Sequence, residues 1–433
     1  MIITILATLL TLGLVIFFHE LGHFIMAKKV GVKVEKFSIG FGPKLLGFNY
    51  NGTQYLISAI PLGGYVKMKG EERSEELTGE VDEFYSRPVG DRAKIVFFGP
   101  LLNFILAFLF FIMVFMIGLP VLKLDNKVGL VEKGSLAWKE GVQKGDVITQ
   151  VNGKKVEEWE DAEEAFLKGS LKGKIVIEVV REDKLLKKVL IISEEDQSKF
   201  LGIHPFIPPV VGKLEKGSPA LKAKMEEGDE ILKINEKDIS CWSEMSEIIH
   251  HSKPTPLKIL VKRKDQEILF KITPILKEIQ GKEGVIQVGA IGISPKTKIQ
   301  RYGPIDSIKK AFTQLVISIQ YVFFVLWKLI SGGISVKYLA GPLGIAQIAG
   351  QQAQGGLMSL LFFIAFLSVN LGVLNLLPIP ALDGGHLLFF ALEKLRGKAL
   401  SGKTQEITSQ VGFSILIALI LFVTFNDILR VVK

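Results

Sequence analysis

Cysteine is nearly absent: Cys241 is the only one in 433 residues. A single cysteine excludes an intrachain disulfide and any zinc site built from thiolates. Histidine is also scarce, with six in the chain, so an imidazole site for a metal has few places to form. No Lys or Arg precedes Lys28. Without a positive n-region, the apolar run over residues 1–18 is expected to be a retained membrane span, not a cleaved signal peptide. No nucleic-acid-binding motif is present. The formal net charge of +9 is expected to reflect lysines beside anionic lipid, with no nucleic acid as partner.

What the chain has in quantity is apolar surface. It is 48% hydrophobic yet 22% charged, with mean hydropathy +0.36. Membrane spans joined to a polar, soluble part account for both values. Four spans are expected, over residues 1–26, 95–118, 357–377 and 407–429. Lys28, Lys29, Lys33 and Lys36 follow the first. The positive-inside rule then puts the N-terminus outside and residue 28 in the cytoplasm. Residues 311–330 are apolar enough to be a fifth span. Parity argues against it, because a metal ligand after residue 377 must reach the depth of His19. Residues 303–350 are therefore expected to form amphipathic helices at the outer interface, broken at Ser331-Gly332-Gly333.

The first span ends in His19-Glu20-Leu21-Gly22-His23. On a helix, positions four apart differ by about 40° in direction, so both imidazoles can reach one Zn²⁺. Glu20 stands beside them as a candidate general base for water activated by the metal. A catalytic zinc wants three protein ligands and one open position. Asp383 and His386 are the candidates for the third. Asp383 is favoured, because it follows the helix-breaking Pro378 and Pro380 and precedes Gly384-Gly385, which lets the backbone bring it close. His386 is the alternative.

Residues 27–94 hold a β-rich stretch. Phe37, Ile39 and Phe41 alternate, as do Leu46, Phe48 and Tyr50, and Asn51-Gly52 between the runs signals a type I′ hairpin. An unpaired edge near the metal could pair with an extended substrate. Residues 71–83 are acidic. Asn103 is the one conspicuous polar group of the second span and carries no assigned chemistry. Between residues 120 and 300 the chain repeats itself: Lys133-Gly134-Ser135-Leu136-Ala137 recurs as Lys216-Gly217-Ser218-Pro219-Ala220, and Gly145-Asp146 as Gly228-Asp229. A constant offset of 83 residues predicts two modules, 120–200 and 201–295. Their Gly-Ser-x-Ala and Gly-Asp patterns resemble bacterial PDZ domains. The second copy departs from the pattern at Lys224-Met225-Glu226-Glu227.

Taken together, His19-Glu20-x-x-His23 and Asn375-x-x-Pro-x-Pro-x-Leu-Asp383-Gly resemble the site-2 protease family of intramembrane zinc metalloproteases, and the resemblance covers nearly the whole chain. It implies a polytopic α-helical membrane protein with four transmembrane helices, a membrane-associated β-hairpin region and two extracytoplasmic PDZ-like domains, in the bacterial cytoplasmic (inner) membrane. It makes His19, His23 and Asp383 the zinc ligands and Glu20 the catalytic base. By the same resemblance Asn375 and the hairpin residues Gly40, Phe41 and Gly42 meet the substrate. Family substrates are single-pass membrane proteins, typically an anti-sigma factor already trimmed outside by a site-1 type protease. The competing readings are a non-catalytic PDZ-bearing scaffold, which requires Glu20→Gln to be silent, and a zinc carrier. The carrier requires polar residues along several spans, and 95–118 and 407–429 carry almost none.

Overall fold

The computed structural model describes residues 2–71, 78–122, 124–170, 173–192, 201–281, 284–332 and 339–432. Residues 72–77 of the acidic stretch, residues 193–200 at the end of the first module, and Gly333 lie outside the described residues. The chain divides into two compact units, Pro120–Ile299 and the two flanking segments together.

The flanking unit begins with α1 (Ile2–Lys29), an uninterrupted apolar helix that closes on Lys28 and Lys29. Next come β1 (Val34–Tyr50) and β2 (Thr53–Met68). The two join at Asn51 and Gly52, both at positive φ (47° and 74°), with Tyr50 opposite Thr53. That is the type I′ geometry the dipeptide favours. Each strand bends back on itself. Phe37 pairs with both Tyr55 and Val66, and Ile39 with both Ile57 and Gly64, so the centre of β1 is flanked on both sides by β2. The resulting sheet runs in the order 44–50, 53–58, 36–41, 64–68. The corner is made by Gly40 and Gly42, at φ 90° and 85°, a region that side chains bearing a Cβ enter only at a cost. The outer run exposes Leu45, Leu46, Phe48 and Tyr50, a face suited to hydrocarbon and not to water.

Helix α2 (Val89–Ile117) follows and packs against α1. Small residues set the approach: a Cβ on Gly22 would collide with the backbone carbonyl of Phe98. Without a hydrophobic force between spans in lipid, such close backbone contact is what holds them.

The second unit carries the repeat into three dimensions. Strand Val128–Val131 answers to Val211–Leu214, and α3 (Leu136–Lys139), capped by Ser135, to α5 (Pro219–Lys222), capped by Ser218. Helix α4 (Trp159–Ser170), between the two, answers to α6 (Trp242–His251). Each module holds a four-stranded antiparallel sheet over its own core. Each also buries one aspartate against one arginine: Asp146 with Arg181 at 2.6 Å, and Asp229 with Arg263 at 2.7 Å. Burial pushes the Asp229 carboxyl up, but the Arg263 side chain and the Glu226 backbone N–H together outweigh it, leaving the carboxyl below the ordinary range. The divergent Lys224-Met225 stretch keeps the fold. Lys224 takes φ 66° where Gly141 takes 73°, and Met225 is buried as Val142 is. The second module contains a hairpin, Ile275–Gly281 with Gly284–Ala290.

The flanking unit resumes with α7 (Pro304–Ile330), α8 (Pro342–Gly355), α9 (Leu357–Asn375), α10 (Asp383–Arg396) and α11 (Gly402–Val432). Among the described residues five helices, α1, α2, α7, α9 and α11, are long and apolar enough to cross a membrane, α7 with the lowest mean hydropathy at 1.6. The expectation of four crossing spans is thus one fewer than length and apolarity alone allow. Residues 378–406 are not all loop, because they contain α10. It forms because Phe389 and Phe390 have a core to enter and Arg92 on α2 binds Glu393 on α10 through two bonds, at 2.7 and 3.1 Å. The Arg92 guanidinium also lies 5.0 Å from the Phe390 ring centre. Arg92→Met is expected to destabilise the protein by about 2–4 kcal/mol, because Glu393, its side chain 14% exposed, is left without its partner. Arg92→Met combined with Glu393→Leu should recover most of that loss. Thermal unfolding of the single and double variants in detergent checks both.

Candidate metal centre

Helix α1 projects His19 and His23 from one side, their rings 4.8 Å apart between centres and nearly perpendicular. Helix α9 ends at Asn375, and the chain turns through Leu376–Leu382 before α10 starts at Asp383. The turn is tight. A Cβ on Gly384 would strike the carbonyls of Leu376 and Leu377, and one on Gly385 the carbonyl of Ile379. Ala381 is held at φ 108°, strain of the kind stored beside functional groups. The two prolines and two glycines thus fold the loop under the first turn of α10 and aim Asp383 at α1.

The three side chains converge. His19 Nε2 is 3.2 Å from Asp383 Oδ2, His23 Nε2 is 3.6 Å from the same oxygen, and the two nitrogens are 3.3 Å apart. The side chains are 10, 12 and 17% exposed. A tetrahedral ion holding ligands at about 2.0–2.1 Å sets them about 3.3–3.4 Å apart. The spacing therefore fits zinc, and the donor set of two imidazoles and a carboxylate leaves a fourth position open. Asp383 Oδ2 is buried without a well-formed hydrogen bond, as a ligand oxygen aimed at a cation would be. Among the described residues no other group of His, Cys, Asp or Glu side chains converges in this way, and His386 lies outside the cluster.

The remaining residues read from the sequence fall at different distances from it. Asn375 Nδ2 is 3.2 Å from His19 Nε2. Glu20 points to the β-sheet side of α1, where a Cβ on Gly64 of β2 would come 3.1 Å from its Cγ. The strand 64–68 is thus the sheet edge nearest the glutamate. Gly40, Phe41 and Gly42 form the sheet's corner. Phe41 stacks on Tyr65 at 6.2 Å, and no described hydrogen bond ties the three to the cluster.

Helix α2 supplies what sequence reasoning missed. Ile95 O accepts a hydrogen bond from His23 Nδ1 at 2.9 Å, which leaves Nε2 without a proton and free to bind metal. Gly99 lies against both rings; a Cβ there would collide with the His23 imidazole. Asn103, fully buried, meets His19 Nδ1 at 3.3 Å. The spacing 95, 99, 103 is one face of a helix, a signal visible in the sequence once His19 and His23 are known to face it.

A membrane helix carrying two histidines and a glutamate, closed by an aspartate from another helix, defines a multi-pass membrane metallopeptidase. The chain belongs to Peptidase family M50, whose model matches residues 7–419; it is a zinc metalloprotease of the site-2 type. It is 34% identical to the regulator of sigma-E protease RseP of Salmonella typhimurium over 98% of both chains. The Escherichia coli protein of that name is 33% identical, over 98% of this chain and 97% of its own. A Neisseria meningitidis protein provisionally named a zinc metalloprotease is 34% identical over 99% of both. A solved PDZ domain, from an SdrC-like protein of Listeria monocytogenes, matches 20% of this chain and 84% of its own at 25% identity, with a TM-score of 0.17.

Proposed function

We propose that this protein hydrolyses a peptide bond within or near the transmembrane helix of single-pass membrane proteins, holding zinc on His19, His23 and Asp383. The observation that carries this is the convergence of those three ligand atoms at tetrahedral spacing, with Glu20 adjacent in sequence. Bound zinc supplies Lewis acidity, lowering the pKa of a coordinated water to about 7 and polarising a peptide carbonyl. Glu20 takes the proton of the attacking water on its carboxylate and passes it to the leaving amine. With zinc on His19 Nε2, the Asn375 amide N–H, which faces that nitrogen at 3.2 Å, would be free to donate to the substrate carbonyl. A substrate helix satisfies its own carbonyls, so it must unwind to react. The edge at 64–68, and the sheet cornered by Gly40, Phe41 and Gly42, hold the extended form by strand addition.

The protein crosses the bacterial cytoplasmic (inner) membrane four times, with the N-terminus and both PDZ-like modules outside and α7 and α8 at the outer interface. Depths along the packed helices support this for α7. Tyr302, just before α7, bonds Phe115, which lies about 18 Å along α2 from Asn103. Tyr321 meets Phe366, about 14 Å along α9 from Asn375. Asn103 and Asn375 both touch His19, so about 26 Å of α7 changes depth by only about 4 Å. Contacts at similar heights near its two ends support a helix lying at the interface.

A core about 30 Å thick separates modules outside from chemistry near the cytoplasmic boundary, so the modules act on access. They exclude membrane proteins with large external domains and admit those already trimmed by a site-1 type protease, of which an anti-sigma factor is an example. The test uses the purified protein in lipid vesicles with a single-pass substrate, intact or trimmed. The full chain is expected to cut only the trimmed form, and a chain with residues 125–295 replaced by a short linker should cut both. Loss of trimmed-substrate cleavage on deletion would instead mean that the modules capture peptide. Failure of the full chain to cut any single-pass substrate would remove the substrate class.

A further inference from the structure

Asn103 is the second-span residue to which the sequence assigned no chemistry, and its surroundings are unlike those of a helix-packing amide. Its side chain is fully buried. Its backbone is pinned, because Ser368 Oγ on α9 donates to Asn103 O at 2.9 Å. Its Nδ2 faces His19 Nδ1 at 3.3 Å, and its Oδ1 has no hydrogen-bond partner. A neutral imidazole carries one proton, on one nitrogen only. When Nε2 carries it, Nδ1 keeps its lone pair and can accept from the Asn103 amide, 3.3 Å away. When Nε2 gives its lone pair to a metal, the proton must sit on Nδ1. An amide N–H would then face an imidazole N–H.

We propose that Asn103 is the positioning residue for His19, and that its amide turns so that Oδ1 accepts the Nδ1–H of the metal-binding tautomer. The proposal rests on the reading of His19 as a zinc ligand. The exchange costs no hydrogen bond, since Oδ1 and Nδ2 simply trade places and O and N are told apart only by their partners. A carboxylate could serve only the metal-loaded tautomer, and an alkyl group neither. An amide at this position serves both, so His19 stays oriented whether or not metal is bound. His23 has the same support in a fixed form, its Nδ1 donating to Ile95 O. Together the two place one partner behind each histidine, which is the arrangement that fixes tautomer and ring angle in metal sites.

The experiment measures zinc affinity of the purified full-length protein in detergent, by competition with a chromophoric chelator, together with thermal unfolding of the chelator-stripped form. Asn103→Leu, close in volume, should bind zinc about 10- to 100-fold more weakly. Asn103→Asp keeps the acceptor and should stay within about threefold of the native protein or bind more tightly, since the added charge lies near a cation. The stripped forms of the native protein and the Leu variant should unfold at similar temperatures, which a merely structural role would not allow. If the Leu variant does not unfold cooperatively, Asn103→Ser replaces it; its hydroxyl is too short to reach His19, and the same weakening is expected. Unchanged zinc affinity in Leu or Ser, or an equal loss in Asp and Leu, overturns the proposal. His19→Ala is the control for the reading beneath it. Full zinc affinity in that variant removes His19 as a ligand, whereas its loss beside unchanged Asn103 variants removes the role of Asn103 alone.

Discussion

Glu20→Gln is expected to retain zinc and to lose peptide-bond hydrolysis. Glutamine matches glutamate in volume and keeps the packing against Gly64, so the ligand cluster is undisturbed. It cannot accept a proton near neutral pH. The lost contribution of a general base is about 10²–10⁴ in rate. In a site whose three converging side chains are 10–17% exposed, few waters are at hand to replace it. The measurement pairs zinc content by atomic emission with cleavage of a trimmed single-pass substrate in vesicles. Cleavage within tenfold of the native rate would falsify the role of Glu20, and loss of zinc would make the residue part of the metal site instead. The competing scaffold reading requires no effect at all.

The second large effect is expected from a methyl group. Gly99→Ala adds a Cβ where the His23 ring already lies, and 3.0 Å from His19 Cε1. The ring cannot yield, because Ile95 O holds its far nitrogen at 2.9 Å and α1 is locked to α2 at Gly22. One of these contacts must open, and either shift moves a ligand by a good fraction of an ångström. Displacements near 1 Å cost about 10²-fold in catalysis, and lost ligand alignment weakens metal binding by about 10- to 100-fold. Gly99→Ala is therefore expected to be purified with little zinc and to cleave at about 1% of the native rate or less. Gly90→Ala, at the start of the same helix with no atom within 4 Å of the added carbon, is the matched control and should behave as native. A fully zinc-loaded, active Gly99→Ala would mean that the rings do not sit over Gly99.

The sequence by itself determined much of this protein, wherever the information is local. Helical periodicity makes His19 and His23 neighbours in any fold that keeps α1 helical, and Glu20 follows from adjacency. Asn51-Gly52 specified its turn through the φ that those residues tolerate, and the 83-residue offset specified two like modules, down to a Lys224 that accepts the backbone of Gly141. Asp383 was legible as a candidate because prolines and glycines mark a loop that must fold sharply. The tertiary structure decided what depends on neighbours far apart in sequence. That Asp383 and not His386 faces the two histidines is set by how Leu376–Leu382 packs beneath Gly384 and Gly385. That residues 383–396 form a helix is set by Arg92 and Glu393, which lie 301 positions apart. The face of α2 behind the histidines could be picked out only once its partners were known, because Ile95 acts through its carbonyl, Gly99 through the absence of a side chain, and Asn103 through a partner 84 residues away. Backbone groups, missing atoms and long-range partners leave no mark in local composition, so only the packing of α2 against α1 gives them meaning.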